Sequence, residues 1–338
     1  MSISPLDSAA MQQAADRQKT LVKPQGALGA LEPLSVRLAG MLGRTDGMLE
    51  RRAVVVFAAD HGITAHHVST VPQSVTAYMV GQFMSGNAAV NVIARQMGAR
   101  VTVVDAGVNA ELAYTTTEAA HFIGGKVAPG TADFTQGRAM SAEQARAALL
   151  LGAAAVDQEV GRGLDILIPG EMGIGNTTTA SAIVAAITGQ PVEQVTGRGT
   201  GVDDATLRRK VQVIETALQR HVPAGDDTLM KLGGFEIGAM AGAMLHAASK
   251  RIPVVVDGLI CTAAALIAHQ MNPDVRHYLI AGHVGAEPGH RIVLDYMGLE
   301  PLLALDLRLG EGTGALLALP LIEAAMRTLN EMGTLDLS

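Results

Sequence analysis

Six short apolar runs rich in β-branched residues constrain the fold of this chain more than any other feature. They are Ala53–Ala59, Val101–Asp105, Asp165–Pro169, Pro253–Asp257, His277–Ala281 and Leu302–Leu307. Most of them are continuously apolar rather than alternating, which is typical of strands buried on both faces of a parallel sheet. Helical segments separate most of the runs. The pattern therefore predicts a doubly wound α/β fold, with a mainly parallel six-stranded sheet and helices on both faces.

The segments between the runs have the composition of helices. The predicted helices are Val75–Met97, Ser141–Val160, Thr177–Thr188, Ala205–His221, Phe235–Lys250, Leu259–Gln270 and His290–Met297. Glycines 234, 238 and 242 recur on one face of the Phe235–Lys250 segment, which predicts close packing against the sheet or, alternatively, a subunit interface. Residues 1–50 and those after about 315 look mainly helical, so they are predicted to form a small helical domain. Residues 51–314 then form the large Rossmann-like α/β domain.

Charge and cysteine content limit the classes of partner. The formal net charge is −7 and lysines and arginines do not cluster, which argues against nucleic acid or an anionic membrane as partner. Cys261 is the single cysteine, so a disulfide framework is excluded and a reducing compartment is expected. The first residues lack the pattern of a signal peptide, and the most apolar segments are about a dozen residues long, too short for a bilayer. We expect a cytoplasmic protein.

Polar residues and glycines follow the predicted strands. The strand ends are Asp60-His61-Gly62, Asp105-Ala106-Gly107, Gly170-Glu171-Met172-Gly173, Asp257-Gly258, Gly282-His283 and Gly310-Glu311-Gly312. The carboxyl ends of parallel strands share one edge of the sheet, where open α/β sheets bind ligands. The pattern thus predicts a substrate cleft to which Asp60, His61, Gly310 and Gly312 contribute.

Glu311 is the strongest candidate for a catalytic residue. It is flanked by glycines and lies between a predicted strand (Leu302–Leu307) and a predicted helix (Ala315–Asn330). Glycines at such a junction let the backbone approach a ligand closely. A carboxylate there has little structural purpose, and we expect it to act as a general base.

The segment Gly170–Thr179 is the best candidate for an anion site. A strand is followed by a glycine loop, and Asn176, Thr177 and Thr178 can cap the next helix, whose N-terminus favours a phosphate. An ordinary capped loop is the alternative, because neither the P-loop nor the dinucleotide motif is present. A second glycine loop, residues 197–201, precedes Lys210, which could meet a phosphate or simply be solvated.

Other chemistries have weaker support. His283, Glu287 and His290 resemble metal ligands by type, but metal sites normally have a tighter ligand set, so neither a metal nor another cofactor is predicted. A metal-dependent hydrolase that uses Asp60, His61, His283 and His290 remains an alternative. The nucleophile elbow of a serine hydrolase is absent. A catalytically silent nucleotide-binding module is a further alternative, although a binder has no need of Glu311.

The ordered motifs of the whole chain resemble those of one enzyme family. They are Lys23–Gly29, Phe57–Gly62, Val104–Val108, Gly170–Thr178, Gly197–Gly201, Leu232–Glu236, Val256–Gly258, Ala286–His290 and Arg308–Gly314. Together they are similar to the nicotinate-nucleotide:dimethylbenzimidazole phosphoribosyltransferases of cobalamin lower-ligand synthesis. The resemblance implies a homodimer in which each subunit has a large doubly wound domain and a small helical one. It also implies a reaction of nicotinate mononucleotide with 5,6-dimethylbenzimidazole, giving α-ribazole 5′-phosphate and nicotinate.

The resemblance implies roles for individual residues. Glu311 matches the catalytic base, Lys210 matches a lysine near the phosphate, and Glu171 matches the ribose-phosphate site. The loop that completes this site contributes Gly173, Gly175, Asn176, Thr177 and Thr178.

A few positions depart from the family pattern. Gly282 and Gly285 stand where serines are common, Ala27 and Ala30 replace a serine and an arginine, and Met79 replaces a glutamine that some members use to contact the base. These changes leave the reaction class intact. They leave the acceptor open between a benzimidazole, a phenol and a purine.

Overall fold

The computed structural model describes residues 2–199, 201–221 and 227–335. Its main sheet has the strands β1 (Arg52–Ala59), β2 (Ala99–Gly107), β3 (His121–Gly124), β4 (Ile166–Met172), β5 (Val254–Val256) and β6 (Leu279–Ala281). The order is β3-β2-β1-β4-β5-β6, and every neighbouring pair is parallel. β1, β4, β5 and β6 are almost entirely buried, which explains their continuously apolar sequences. The predicted doubly wound six-stranded sheet is confirmed.

One predicted strand of this sheet is wrong. In the segment Leu302–Leu307 only β8 (Leu303–Ala304) is a strand, and it pairs with β7 (His283–Val284) in a separate two-stranded sheet. The rest of the segment is irregular, and Leu305 is largely exposed. The sixth strand is instead β3, a four-residue edge strand that sequence patterns missed.

Helices connect the strands. They are α1 (Ser8–Thr20), α2 (Leu31–Leu42), α3 (Val75–Ser85), α4 (Ala89–Gln96), α5 (Ala142–Gly161), α6 (Asn176–Thr188), α7 (Val192–Val195), α8 (Asp204–Arg220), α9 (Thr228–Leu232), α10 (Phe235–Ser249), α11 (Leu259–Met271), α12 (Pro288–Met297) and α13 (Thr313–Glu331). Short 3₁₀ turns span Gly62–His66 and Pro273–Tyr278. The predicted helix Val75–Met97 is two helices, because Gly86 ends α3 in a left-handed conformation. The other predicted helices agree with the structure to within a few residues.

Two groups of helices cover the sheet. α10 packs on β1 and β4 and also on α5 and α11, while α3, α4 and α13 form a second group that packs against strands of the sheet. The glycine face of α10 meets a helix, not the sheet. A β-carbon on Gly242 would lie 2.0 Å from the carbonyl oxygen of Leu149 in α5, and one on Gly152 of α5 would lie 1.8 Å from the carbonyl oxygen of Ala239. These glycines therefore allow the two helix backbones to touch.

The two ends of the chain meet. α13 packs against α2 and α1, and Leu21 forms an isolated antiparallel bridge with Thr334. The Arg17 guanidinium donates to the carbonyl oxygens of Leu329, Asn330 and Met332 at the end of α13. These contacts support the predicted pairing of the terminal segments, of which residues 1 and 336–338 lie outside the described ranges. Because α13 also packs against β4 and β5, the boundary near residue 315 stays a prediction.

Candidate active site

Residues 310–312 form a left-handed turn at the carboxyl edge of the sheet. The backbone φ angles of Gly310, Glu311 and Gly312 are 86°, 62° and 82°, and Glu311 is one of few non-glycine residues in this region. The turn lies against β4, because a β-carbon on Gly170 would stand 2.5 Å from the carbonyl oxygen of Glu311. It leads directly into α13, although most of the segment predicted as a strand before it is irregular. Glu311 thus has a backbone conformation that L-residues rarely adopt.

The Glu311 carboxylate points inward and is 4% exposed. Its Oε2 accepts a 3.4 Å hydrogen bond from the backbone N–H of Val90, in the first turn of α4. The N-cap residue of α4, Ala88, has no side-chain acceptor of its own. Burial raises the pKa of Glu311 to about 7, against the lowering effect of the Val90 hydrogen bond. The negative charge of Asp257 adds to the upward shift.

Glu171 lies beside Glu311. Its Oε1 accepts a 3.4 Å hydrogen bond from the backbone N–H of Glu311, and its Oε2 accepts from the Asn176 amide. A β-carbon on Gly310 would lie 2.1 Å from Glu171 Oε1, so only glycine fits there. Burial raises the pKa of Glu171 to about 8, with a further contribution from the charge of Asp257. Two proton-binding carboxyl groups therefore share one wall of the cleft.

Asp257 is the third carboxylate of this group, and sequence reasoning did not assign it a role. It accepts hydrogen bonds from the N–H groups of Gly312 (3.1 Å) and Ala315 (3.0 Å) at the beginning of α13. Its Oδ1 also lies 3.3 Å from His283 Nε2. Asp257 thereby fixes the turn that presents Glu311. Its position at the end of a buried strand was the signal that could have identified it.

The loop between β4 and α6 forms a second wall. Gly175 is the N-cap of α6 with a φ of 95°, and Asn176 and Thr177 begin the helix. A β-carbon on Gly173 would lie 2.5 Å from the carbonyl oxygen of Ala59 and 3.2 Å from His61 Nε2. The loop therefore rests directly on the end of β1. Its helix N-terminus faces the cleft, a position that attracts anions.

Lys210 supports this loop from behind. Its Nζ donates to Gly197 O (2.9 Å) and Thr177 Oγ1 (3.2 Å), and the side chain is buried. Burial lowers the pKa of Lys210 to about 8, partly offset by the charge of Glu287. The solvated alternative is thereby wrong, and the ammonium group reaches the cleft through Thr177. Thr200 of the neighbouring glycine loop lies outside the described residues.

Asp60 and His61 lie beneath the cleft rather than in its wall. His61 Nε2 lies 2.8 Å from Glu236 Oε1, and its Nδ1 lies 3.0 Å from Thr179 Oγ1. Asp60 Oδ2 accepts a 2.8 Å hydrogen bond from the N–H of Asn109. His61 thus joins the end of β1 to α6 and α10. A direct contact of either residue with substrate stays a prediction.

The cleft has a cavity volume of about 100 Å³. Six of the predicted site residues line it: Glu171, Gly173, Asn176, Thr177, Gly310 and Glu311. Gly175, Thr178, Lys210 and Gly312 are not among the lining residues. His283, Glu287, His290 and Arg308 also line the cleft, although sequence reasoning gave them no role in binding substrate. The motifs Ala286–His290 and Arg308–Gly314 contained the signal for them.

The four residues of the hydrolase alternative do not converge. His61 is paired with Glu236, whereas His283 is paired with Asp257. Across residues 2–199, 201–221 and 227–335, no three His, Cys, Asp or Glu side chains are arranged to hold a metal ion. In the same ranges every helix falls short of the length and apolar character of a membrane span.

Comparison with known proteins defines the class. A family model described as a phosphoribosyltransferase matches residues 3–337, which assigns the chain to that class. A protein from Chloroflexus aggregans named nicotinate-nucleotide–dimethylbenzimidazole phosphoribosyltransferase is 52% identical over 335 residues, covering 98% of this chain and 94% of the relative. A protein of the same name from Roseiflexus sp. (strain RS-1) is 53% identical with the same coverage. The chain belongs to the nicotinate-nucleotide–dimethylbenzimidazole phosphoribosyltransferase family.

Solved structures agree with this assignment. The crystal structure of a nicotinate-nucleotide–dimethylbenzimidazole phosphoribosyltransferase from Thermus thermophilus has a TM-score of 0.92 with 45% sequence identity, covering 97% of each chain. A second structure from the same organism has a TM-score of 0.93 with 47% identity, covering 96% of this chain and 97% of the other. The family resemblance inferred from the motifs is confirmed.

Proposed function

We propose that this protein transfers the 5-phosphoribosyl group of nicotinate mononucleotide to 5,6-dimethylbenzimidazole, giving α-ribazole 5′-phosphate and nicotinate. The observation that carries the proposal is the buried Glu311 carboxyl group with a pKa of about 7, in a cleft that also contains the N-terminus of α6. A group of that pKa is half ionised near neutral pH, which suits a general base. The names of the relatives supply the substrates.

The chemistry needs a base but no acid. The leaving nicotinate departs from a positively charged pyridinium N-glycoside, so its nitrogen takes the bonding electrons without a proton. One benzimidazole nitrogen attacks C1′ while the other loses its proton to Glu311. Direct displacement inverts C1′ from the β-nucleotide to the α-riboside. General base catalysis contributes about 10²–10⁴-fold, and alignment of two bound substrates adds to it.

We place the nucleotide with its phosphate at the N-terminus of α6. The Gly173–Thr178 loop, Lys210 behind Thr177 and Glu171 beside Glu311 then form the ribose-phosphate site. Asp60 and His61 contribute by holding this loop, and Gly310 and Gly312 contribute by shaping the turn of Glu311.

We place the acceptor on the other side of Glu311, next to α3. Thr76 of α3 accepts a 3.1 Å hydrogen bond from the N–H of Ile174, which lines the cleft.

The acceptor pocket favours an apolar aromatic base. Met79 packs against the hydrophobic core from α3, and Ile174 and Leu309 line the cleft that contains Glu311. Such a pocket offers little to the exocyclic amine of a purine. Apolar contacts discriminate by only about 1–3 kcal/mol per group, so phenolic and purine acceptors belong in the test.

The decisive experiment is incubation of the protein with nicotinate mononucleotide and dimethylbenzimidazole. We expect a riboside phosphate by mass spectrometry and the α configuration at C1′ by nuclear magnetic resonance. Nucleotide binding without nicotinate release would instead indicate a silent binding module. Chelator-sensitive hydrolysis to ribose phosphate would favour the hydrolase. Competition among dimethylbenzimidazole, a phenol and adenine in one mixture ranks the acceptors.

We also propose a homodimer that works in the cytoplasm. Leu309 lines the cleft yet is 56% exposed, which leaves an apolar surface at the mouth for a second subunit to cover. Cys261 is a buried free thiol, which suits a reducing compartment. Sedimentation equilibrium should give a mass of twice 34.9 kDa. A concentration-independent mass of 34.9 kDa would contradict the dimer.

A further inference from the structure

The His290 side chain lines the cleft but has no role in the chemistry described above. It is fully buried at the beginning of α12, and its Nε2 atom has no hydrogen-bond partner within the described ranges. A buried polar atom without a partner costs about 1–3 kcal/mol, so such atoms in folded proteins call for an explanation. A ligand that occupies the cleft would supply the missing partner.

The hydrogen bonds around the ring fix what that partner must be. The backbone N–H of Gly285 donates to His290 Nδ1 at 2.9 Å, which makes Nδ1 an acceptor. Burial, and secondarily the neighbouring His283, lower the pKa of His290 to about 4, so the ring is neutral at pH 7. The single ring proton therefore lies on Nε2. The missing partner must be a hydrogen-bond acceptor.

Gly285 allows this arrangement. A β-carbon at position 285 would lie 3.2 Å from His290 Nδ1 and 2.9 Å from the carbonyl oxygen of Leu307. A side chain there would push the imidazole away from the backbone N–H that orients it. The absence of a side chain at 285 and the ring of His290 thus form one unit that directs an N–H group into the cleft.

The surroundings of His290 favour an anionic acceptor. The Arg308 side chain lines the same cleft, and the N-terminus of α6 contributes Thr177, with the Lys210 ammonium behind it. Glu287 also lines the cleft; its Oε1 accepts a 2.7 Å hydrogen bond from the N–H of Gly199, and its charge acts on Lys210. The N-terminus of α6 and the Arg308 and Lys210 charges thus supply donors for an anion beside His290.

We propose that His290 binds the 5′-phosphate of the nucleotide by donating its Nε2–H to a phosphate oxygen. The proposal rests on the proposed function, because it assumes that the ligand of the cleft is a phosphorylated riboside. His290 acts in binding, not in proton transfer. Its contact distinguishes a nucleotide from a nucleoside and has no effect on the acceptor base.

The test compares two ligands that differ only in the phosphate. Calorimetry measures the binding of nicotinate mononucleotide and of nicotinate riboside to the full-length protein and to His290→Ala. A hydrogen bond to a charged group is worth about tenfold to a hundredfold in affinity. We expect His290→Ala to weaken mononucleotide binding by about that factor and to leave riboside binding unchanged. His290→Gln, which retains an N–H donor, should recover much of the loss.

Arg291→Ala is the matched control. Arg291 follows His290 on α12, is exposed and pairs with Asp295, so its removal tests the general effect of altering this helix. We expect no change in the affinity for either ligand. Equal weakening of both ligands by His290→Ala would overturn the proposal, because it would indicate a structural role or a ribose contact.

A second measurement needs no variant. In protein labelled with ¹⁵N-histidine, the Nε2 resonance of His290 should shift on addition of nicotinate mononucleotide and not on addition of nicotinate riboside. A resonance that ignores the phosphate would overturn the proposal even if His290→Ala failed to fold. Neither measurement depends on turnover. An inactive protein would contradict the proposed function while the binding comparison still decides the role of His290.

Discussion

Three carboxylates define the site at the scale of single residues. Glu171 and Glu311 are buried and have pKa values of about 8 and 7, and the charge of Asp257 contributes to both shifts. Asp257 itself accepts hydrogen bonds from two N–H groups at the beginning of α13, and these stabilise its carboxylate. The cluster therefore retains a proton near neutral pH. Glu171 has the higher pKa of the two glutamates and therefore binds that proton more tightly. Glu311 is then available to accept another proton.

We expect Glu311→Gln to reduce kcat by about 10²–10⁴-fold, because the amide keeps the shape of the side chain but cannot accept the benzimidazole proton. Nucleotide affinity should change little. In the unaltered protein kcat/KM should fall as the pH drops below about 7, since protonated Glu311 cannot act as a base. That dependence should be absent from the residual activity of the variant.

The exposed Glu300 provides the control for this substitution. Glu300→Gln should leave both turnover and the pH profile unchanged. Full turnover in Glu311→Gln would remove Glu311 from the mechanism.

We expect Glu171→Gln to stabilise the fold at alkaline pH. The pKa of Glu171 is about 8 in the folded protein and near 4.5 when unfolded, so only the folded state retains the proton between these values. The free energy of unfolding should therefore fall as the pH rises from about 4.5 to 8, by at most about 1.4 kcal/mol per pH unit. The amide has no proton to lose. Urea unfolding at pH 5 and pH 8 measures the difference.

The variant should exceed the unaltered protein in stability at pH 8 and differ little from it at pH 5. Glu111→Gln, at an exposed position, should show no such dependence. A stability gap of the same size at both pH values would mean that Glu171 is not a buried acid of raised pKa.

Close packing of α5 and α10 dominates at the scale of elements. Gly152 and Gly242 bring the two helix backbones together, and α10 in turn covers β1 and β4. The glycine spacing predicted close packing but not the partner. Glycines at four-residue spacing mark a helix face that can approach another surface closely. The spacing does not determine whether that surface is a helix or a sheet.

We expect Gly152→Ala to destabilise the protein by about 1–3 kcal/mol or more, because the new methyl group would overlap the Ala239 carbonyl oxygen at 1.8 Å. Chemical denaturation measures the loss. Gly161→Ala at the end of the same helix is the control, since a β-carbon there meets no atom within 4 Å. It should be neutral or slightly stabilising. Equal effects of the two substitutions would show that helix propensity, not packing, governs the pair.

The strands show why some elements could be predicted and others could not. β1 and β4 are buried on both faces, so their apolar runs were unmistakable. β3 is a four-residue edge strand in which only Ile123 is buried, and a strand that pairs on one side needs no continuous apolar run. Leu302–Leu307 has a strand-like composition, yet Leu305 projects into solvent. An apolar composition predicts that a segment is buried. Whether β3 and Leu302–Leu307 are buried depends on neighbours that are distant in sequence.

At the scale of the whole molecule, the two chain ends close on each other. The Arg17 guanidinium connects α1 to three carbonyl groups at the end of α13, and Gln18 donates a 2.9 Å hydrogen bond to Ser35 of α2. α13 begins at the Glu311 turn and ends at this junction. Composition predicted helices at both ends. Their mutual contact was an expectation of the family resemblance, because no local pattern encodes a pairing across the full length of the chain.

We expect Arg17→Met to lower the free energy of unfolding by about 1–3 kcal/mol, because the carbonyl oxygens of Leu329, Asn330 and Met332 lose a charged donor. Amide hydrogen exchange in the last turn of α13 should accelerate. Lys19→Met is the control, since Lys19 is 59% exposed and pairs with the exposed Asp16 on the same helix. An unchanged exchange rate in Arg17→Met would mean that α13 is held by apolar packing alone.

The cleft also shows the limits of sequence at this scale. Glu311 and the α6 loop were identified because each stands beside glycines after a predicted strand, and Glu171 was identified through the family resemblance. Asp257 and Val90 act on Glu311 from positions far away in the sequence, and only the folded chain brings them together. His290 was considered as a metal ligand. Its orientation by Gly285 depends on a hydrogen bond that no motif describes.

The left-handed backbone of Glu311 has a consequence for protein engineering. A non-glycine residue in that conformation costs about 1–2 kcal/mol, so a glycine at position 311 would be less strained. Selection of variant libraries for heat resistance alone should therefore favour Glu311→Gly. That substitution removes the catalytic base, and a melting curve would not reveal the loss of activity. The same variant, stable but inactive, could be crystallised with both substrates bound before they react.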